Sequence, residues 1–260
     1  MISLNLVLKS LLIILFVFIS VAFLTLFERK LLSLIGVRIG PYKVSIGGLL
    51  QPIRDAVKLI NKQTNILSRF SLTFYFLSSF FIIFCSCLFW VIFNPTVRLV
   101  YFKNSLIVIL VVFSFRRLIS IVSGWRTFSK YSLIGRMRFV TQIISYEASL
   151  YLCLFCIIIF YFSLNISMIK EILFFFIVSP FLLFYWIPSC LIELNRTPYD
   201  FSEGERELVR GFNTEFGSKG FTLIFLSEYS NIIFISVISA FFFFFFMKKI
   251  FLFLFLLSFI

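Results

Sequence analysis

Six stretches of this 260-residue chain are apolar over a length that only a lipid bilayer explains: Leu4–Phe27, Phe70–Phe93, Ser105–Ser123, Ile143–Leu164, Ile172–Ile192 and Phe221–Phe246. About 20 apolar residues of helix cross roughly 30 Å of hydrocarbon, whereas a barrel strand needs only about ten. Inside hydrocarbon every backbone N–H and C=O must bond within the protein, so runs of this length are read as helices. The expected fold is an all-α integral membrane protein with about six full transmembrane helices in one membrane domain, residues 1–260. The composition agrees: 61% of residues are hydrophobic and 13% charged, against about half and a quarter in a soluble domain. The first stretch is too long for a signal peptide and ends in "ERK" without a small-residue cleavage site. The last apolar piece, Ile250–Ile260, is too short to span alone.

Loop charge sets the expected orientation. With their helix-end flanks, the loops after the first, third and fifth spans hold eight, six and four basic residues, Arg116 and Arg117 among them, which is eighteen of the 24 in the chain. Those loops are expected on the inner side and the N-terminus on the outer side. Ten of the eleven acids then fall at the inner side or its membrane edge, and only Glu171 lies outside. The inner face is therefore where chemistry is expected.

Histidine is absent, which removes the usual haem ligand, the usual nitrogen ligand for a metal, and the usual proton shuttle near neutrality. No metal site is expected. Cys85, Cys87, Cys153, Cys156 and Cys190 all lie in apolar runs and read as small buried hydrophobes. Residues 47–63 are not a span. Leu49, Leu50, Ile53, Ala56, Val57 and Ile60 recur at helical spacing, opposite Gln51, Arg54, Asp55, Lys58, Asn61 and Lys62. That is an amphipathic helix on the inner surface, with Pro52 in its first turn.

Carboxylates within spans are the candidates for proton work, because such groups usually face a bundle interior or a water-filled cavity. Glu28 and Arg29 close the first span, Glu147 begins the fourth, Glu193 ends the fifth, and Glu228 lies about two turns into the sixth. For Glu193 the plainer alternative is an ion pair with Arg196. Glu228 has no cation nearby in sequence. Between Glu193 and Gly220 an acidic inner-face loop carries Asp200, Glu203, Glu205, Glu207 and Glu215. Within it "SEGE" is a capping box, with Ser202 as cap and Glu205 reaching back. Clustered carboxylates raise one another's pKa and can hold protons near neutrality; the alternative is a solvated acidic loop.

The segments "ERKLLSLIGVRIGP", "GLLQPIRDAVKL", "SYE" and "ELNRTPYDFSEGERELVRGFNTEF…SEYSNI" closely resemble the quinone-site membrane subunits of respiratory complex I, the NADH–ubiquinone oxidoreductase of mitochondria. The resemblance runs from about residue 20 to 232. It implies a subunit with no redox centre of its own that lines a quinone tunnel and couples quinone reduction to proton translocation. Carried over by motif, the proton-handling acids are Glu147, Glu193 and Glu228 with Tyr229, and Asp200, Glu203, Glu205, Glu207 and Glu215 in the loop. Glu28, Arg29, Arg38, Asp55 and Arg196 line the quinone tunnel. Ubiquinone is the implied substrate. NADH, FMN and iron–sulfur clusters belong to partner subunits, one of which carries a cluster above the quinone site. The implied location is the mitochondrial inner membrane, in contact with lipid, with no nucleic-acid partner.

Arg136, Arg206 and Arg210 depart from the family pattern, making the local field more positive. The family has eight spans, so a separate small chain or accessory helix is expected to supply the last. The rival readings are the related membrane subunit of an energy-converting hydrogenase and a stand-alone secondary transporter. The latter would show an inverted internal repeat, and none is visible.

Overall fold

A computed structural model describes residues 2–62, 72–93, 104–126, 130–161, 175–200 and 217–243. Among these residues every regular element is helical. The six expected spans each meet a helix. These are α1 (Ile2–Ile35), α3 (Leu72–Phe93), α4 (Ser105–Arg126), α5 (Lys130–Tyr161), α6 (Phe175–Leu194) and α7 (Ser218–Phe243), with α2 (Gln51–Asn61) in the connection between the first two. Five of them are long and apolar enough to cross a membrane; in α6 the apolar stretch within the described residues is shorter, Pro180–Leu194.

Lipid tails are as apolar as leucine, so apolar area alone does not hold membrane helices together; close packing does. Small residues permit the close approach. Ser79, Ser86, Ser120, Ser123, Ser227, Ser230, Ser236 and Ser239 are all buried. Each hydroxyl donates to a carbonyl three or four residues back on its own helix. None therefore demands a partner across the interface. Phenylalanine fills the space between. Phe234 of α7 stacks on Phe89 of α3 at 4.8 Å, and Phe89 lies 4.5 Å from Phe113 of α4. Trp186 of α6 meets Phe242 and Phe243 at the far end of α7. Cys85, Cys153 and Cys190 are buried in this packing, and Cys87 is half-buried. Cys156 departs from the expectation, because it sits on the outward face of α5 and is exposed.

Two boundaries differ in a way that matters for the site. Helix α1 does not stop at Phe27 but continues to Ile35, so Glu28 and Arg29 lie on a continuous helix. Helix α5 begins at Lys130, not Ile143, so Glu147 sits in mid-helix. Arg116 and Arg117, counted above with loop charges, lie well inside α4.

The α1–α2 connection folds back on α1. The Val37 N–H donates to Leu34 and the Arg38 N–H to Ser33. Those two bonds form a Schellman closure with Val37 in the left-handed position. Lys30 then reaches the Gly47 carbonyl at 2.7 Å. Gly48 follows at φ +78°, and a Cβ placed there would lie 2.1 Å from the Pro41 carbonyl oxygen. No side chain fits. Gly48→Ala is expected to cost about 1–3 kcal/mol of local stability and to free the segment carrying α2. Hydrogen exchange of the 41–62 peptide in the purified complex should rise; unchanged protection there would contradict this packing.

Candidate functional site

Helix α2 packs against α1 and α7, and its polar side ties it to α1. Arg29 donates to Asp55 at 2.6 Å, and the Gln51 amide donates to the other Asp55 oxygen at 2.9 Å. The Arg29 and Asp55 side chains are 46% and 30% exposed. Such a pair contributes at most about 1 kcal/mol, so its role is to orient. The opposite face of α2 shows Ile53, Val57 and Ile60 more than half exposed, the arrangement of a helix lying on a membrane surface.

Beside Arg29 on α1, Glu28 holds a set drawn from three distant parts of the chain. Its two oxygens accept from Arg196 at 2.8 Å and from the Tyr229 hydroxyl at 2.6 Å, residues 168 and 201 positions away. The Arg196 guanidinium also lies over the Tyr229 ring, 5.1 Å from its centre. Arg196 is aimed by the end of α6. Asn195 takes the left-handed position, its N–H donates to Ile192, and the Arg196 N–H donates to Leu191. This is a second Schellman closure, here with a residue that tolerates the conformation. The turn is fixed further on, where Gln142 of α5 donates to the Tyr199 carbonyl at 2.7 Å. Burial works against the Arg196 charge, but the hydrogen bond and charge of Glu28 outweigh it and raise its pKa. Arg196 thus serves Glu28, and the alternative of a Glu193–Arg196 pair is set aside.

A second set lies between α4, α5, α6 and α7. Arg117 of α4 is 8% exposed. Its Nη2 donates to Glu147 at 2.5 Å and to the Tyr151 hydroxyl at 3.1 Å, and its Nε donates to the Phe113 carbonyl at 3.2 Å. Its Nη1 meets the second Glu147 oxygen, so the guanidinium and carboxylate pair at both ends. Tyr151 also donates to Glu147. Glu193, at the end of α6, is 8% exposed and lies in the field of both Arg117 and Arg116. Arg116 acts in turn on Glu193 and on Glu228 of α7. Glu228 has no cation nearby in sequence, and the one that acts on it comes from α4, far away along the chain.

The structure thus brings together Glu28, Arg196 and Tyr229, with Arg29 and Asp55 alongside, and separately Glu147, Glu193 and Glu228. Arg38 closes α1 through its backbone. Asp200 lies at the end of the turn after α6 and has an interaction partner. Glu203, Glu205, Glu207, Glu215 and the Ser202 cap lie outside the described residues. Arg116, Arg117, Tyr151 and Gln142 were missed as site residues. The signal for the arginines was present: an adjacent pair inside "VVFSFRRLISIV" has no reason to stand in an apolar run unless acids from other helices meet it. Among the described residues no group of histidine, cysteine and acidic side chains could hold a metal ion.

A family model described as NADH dehydrogenase matches residues 8–260. NADH-ubiquinone oxidoreductase chain 1 of Aedes aegypti is 44% identical over 231 residues, covering 88% of this chain and 74% of its own length. The protein of that name from Locusta migratoria is 44% identical over 238 residues, covering 89% and 74%. That from Anopheles gambiae is 42% identical over 231 residues, covering 88% and 74%.

Proposed function

The chain belongs to the NADH dehydrogenase family, and from that premise we propose that it is a multi-pass membrane subunit of NADH–ubiquinone oxidoreductase in the mitochondrial inner membrane. It lines the path by which quinone reaches its site of reduction and couples that reduction to proton translocation. Its N-terminus faces the intermembrane side. Its partners are the other subunits of that complex, including the iron–sulfur subunit above the quinone site. The electron carriers of the complex, FMN and the iron–sulfur clusters, sit on those partners, with NADH as the electron donor.

The observation that carries this reading is the convergence of Glu28, Arg196 and Tyr229 beside α2. Three segments distant in sequence bring polar groups together next to a helix whose apolar face is open. A quinone has an apolar tail and two carbonyl oxygens. It needs a lipid-accessible apolar entry, then donors such as Arg and Tyr in a partly dry setting. Arg29, Arg38 and Asp55 border that entry. Glu147, Glu193 and Glu228, with the loop acids Asp200, Glu203, Glu205, Glu207 and Glu215, then take up and pass the protons that reduction displaces, work that needs titratable groups in a chain without histidine.

A photoreactive ubiquinone analogue tests the binding half of the proposal. After illumination of the intact complex, the label is expected in the peptides spanning Glu28–Arg38, α2 or the 193–216 segment, and excess ubiquinone should displace it. Displaceable label confined to other subunits would overturn it.

A further inference from the structure

Three acids from three helices, Glu147 of α5, Glu193 of α6 and Glu228 of α7, share two cations supplied by one helix. Successive residues of a helix point about 100° apart, so the adjacent Arg116 and Arg117 reach different neighbours. Arg117 is fixed by four contacts, two to Glu147, one to Tyr151 and one to the Phe113 carbonyl, and lies in the field of Glu193. Arg116 faces Glu193 and Glu228, with Cys85 of α3 and the like charge of Arg117 also in its field. An arginine in a span costs about 2.5–3.5 kcal/mol on insertion scales, and this helix carries two in succession.

Carboxylates drawn together in a dry bundle hold their protons, since burial and like charge both oppose ionisation. Acids that cannot release a proton cannot relay one. Two cations change this. Among the described residues, two cations set against three carboxylates leave a net charge of −1, which one proton taken up from water neutralises and restores on leaving. On the reading given under Proposed function, we infer that Arg116 and Arg117 are positioning residues for proton transfer. Their fixed positive charge, placed by α4 among Glu147, Glu193 and Glu228, favours the ionised, proton-accepting form of that set.

The test is the pH profile of quinone-driven proton translocation by the purified complex in vesicles. A merely structural role would change the amount of complex and leave the profile of the assembled fraction in place. Arg117→Met and Arg116→Met are expected to move the acidic limb of the profile to higher pH by about one to three units. Arg116→Lys keeps the charge and should stay near wild type, whereas Arg117→Lys keeps the charge but loses the fork onto Glu147 and should shift less than Arg117→Met. If Arg117→Met does not assemble, Arg116→Met decides, because it leaves the Arg117–Glu147 pair intact. If neither methionine variant assembles, Arg116→Lys decides: an unmoved profile supports the inference and a moved one overturns it. Assembled methionine variants with a wild-type profile, or lysine variants shifted as far as methionine, overturn it as well. Glu228→Gln run in parallel separates the two levels. If that variant pumps normally, the coupling role itself is wrong; if it stops pumping while the arginine variants keep the wild-type profile, only the present inference fails.

Discussion

Arg196→Met is expected to lower NADH–ubiquinone turnover by at least about tenfold, through loss of the Glu28 anchor. Methionine matches the aliphatic stem of arginine without its charged head. The substitution leaves a carboxylate that is 13% exposed with, among the described residues, only the Tyr229 hydroxyl bonded to it. Removing one partner of a buried ion pair costs about 3–5 kcal/mol, and about 1.4 kcal/mol is already a factor of ten in an equilibrium. The damage spreads because the same three residues fasten α1, the turn after α6, and α7. Arg196→Lys should recover only part of the activity: an ammonium reaches the carboxylate but cannot stack on the Tyr229 ring as a planar guanidinium does. Assembly by native electrophoresis, turnover with a soluble quinone, and hydrogen exchange of the 28–62 and 193–200 peptides together read the effect. Wild-type turnover with unchanged exchange would remove this set of residues from the quinone site.

Most of the fold was legible because lipid leaves few choices. A long apolar run must be helical, and each predicted span meets a helix. The boundaries were less legible for a physical reason. Hydropathy marks where side chains leave lipid, and helices need not stop there. "ERKLLSLI" carries α1 on to Ile35, and the stretch from Lys130 carries α5 toward Glu147, both past the apolar limits.

The same habit of reading charge as water-facing counted Arg116 and Arg117, at the end of the third span, with the charges of the loop that follows. Their partners are Glu147, Glu193 and Glu228 on three other helices, a pairing that local sequence cannot display. The acids themselves were readable, because an isolated carboxylate in a span stands out. Which cation serves which acid was not. Arg196 lies three residues from Glu193 yet bonds to Glu28, 168 residues away, because the Schellman turn at Asn195 directs the chain away from α6. The α2 helix was found from its periodicity alone. Its tether through Asp55 and Arg29 was not, since it depends on how Gly48 folds the connection.

The central claim is that acids inside this subunit connect quinone reduction to proton movement, and Glu228 is where it is most exposed to test. Glutamine at 228 keeps the size and the hydrogen-bonding capacity of the side chain but can neither take up nor release a proton in the working range. It also removes one negative charge from the field of Arg116. Glu228→Gln is expected to assemble, because a neutral isostere in a partly buried position leaves the helix packing unchanged. It is expected to lose most quinone-linked turnover and nearly all proton translocation. The electron-input half of the complex, assayed by NADH oxidation with a hydrophilic acceptor, should run at the wild-type rate. The decisive measurement is the number of protons translocated per NADH oxidised by the reconstituted Glu228→Gln complex. The account predicts a value near zero with that electron-input activity intact. A wild-type ratio at a wild-type rate would contradict it.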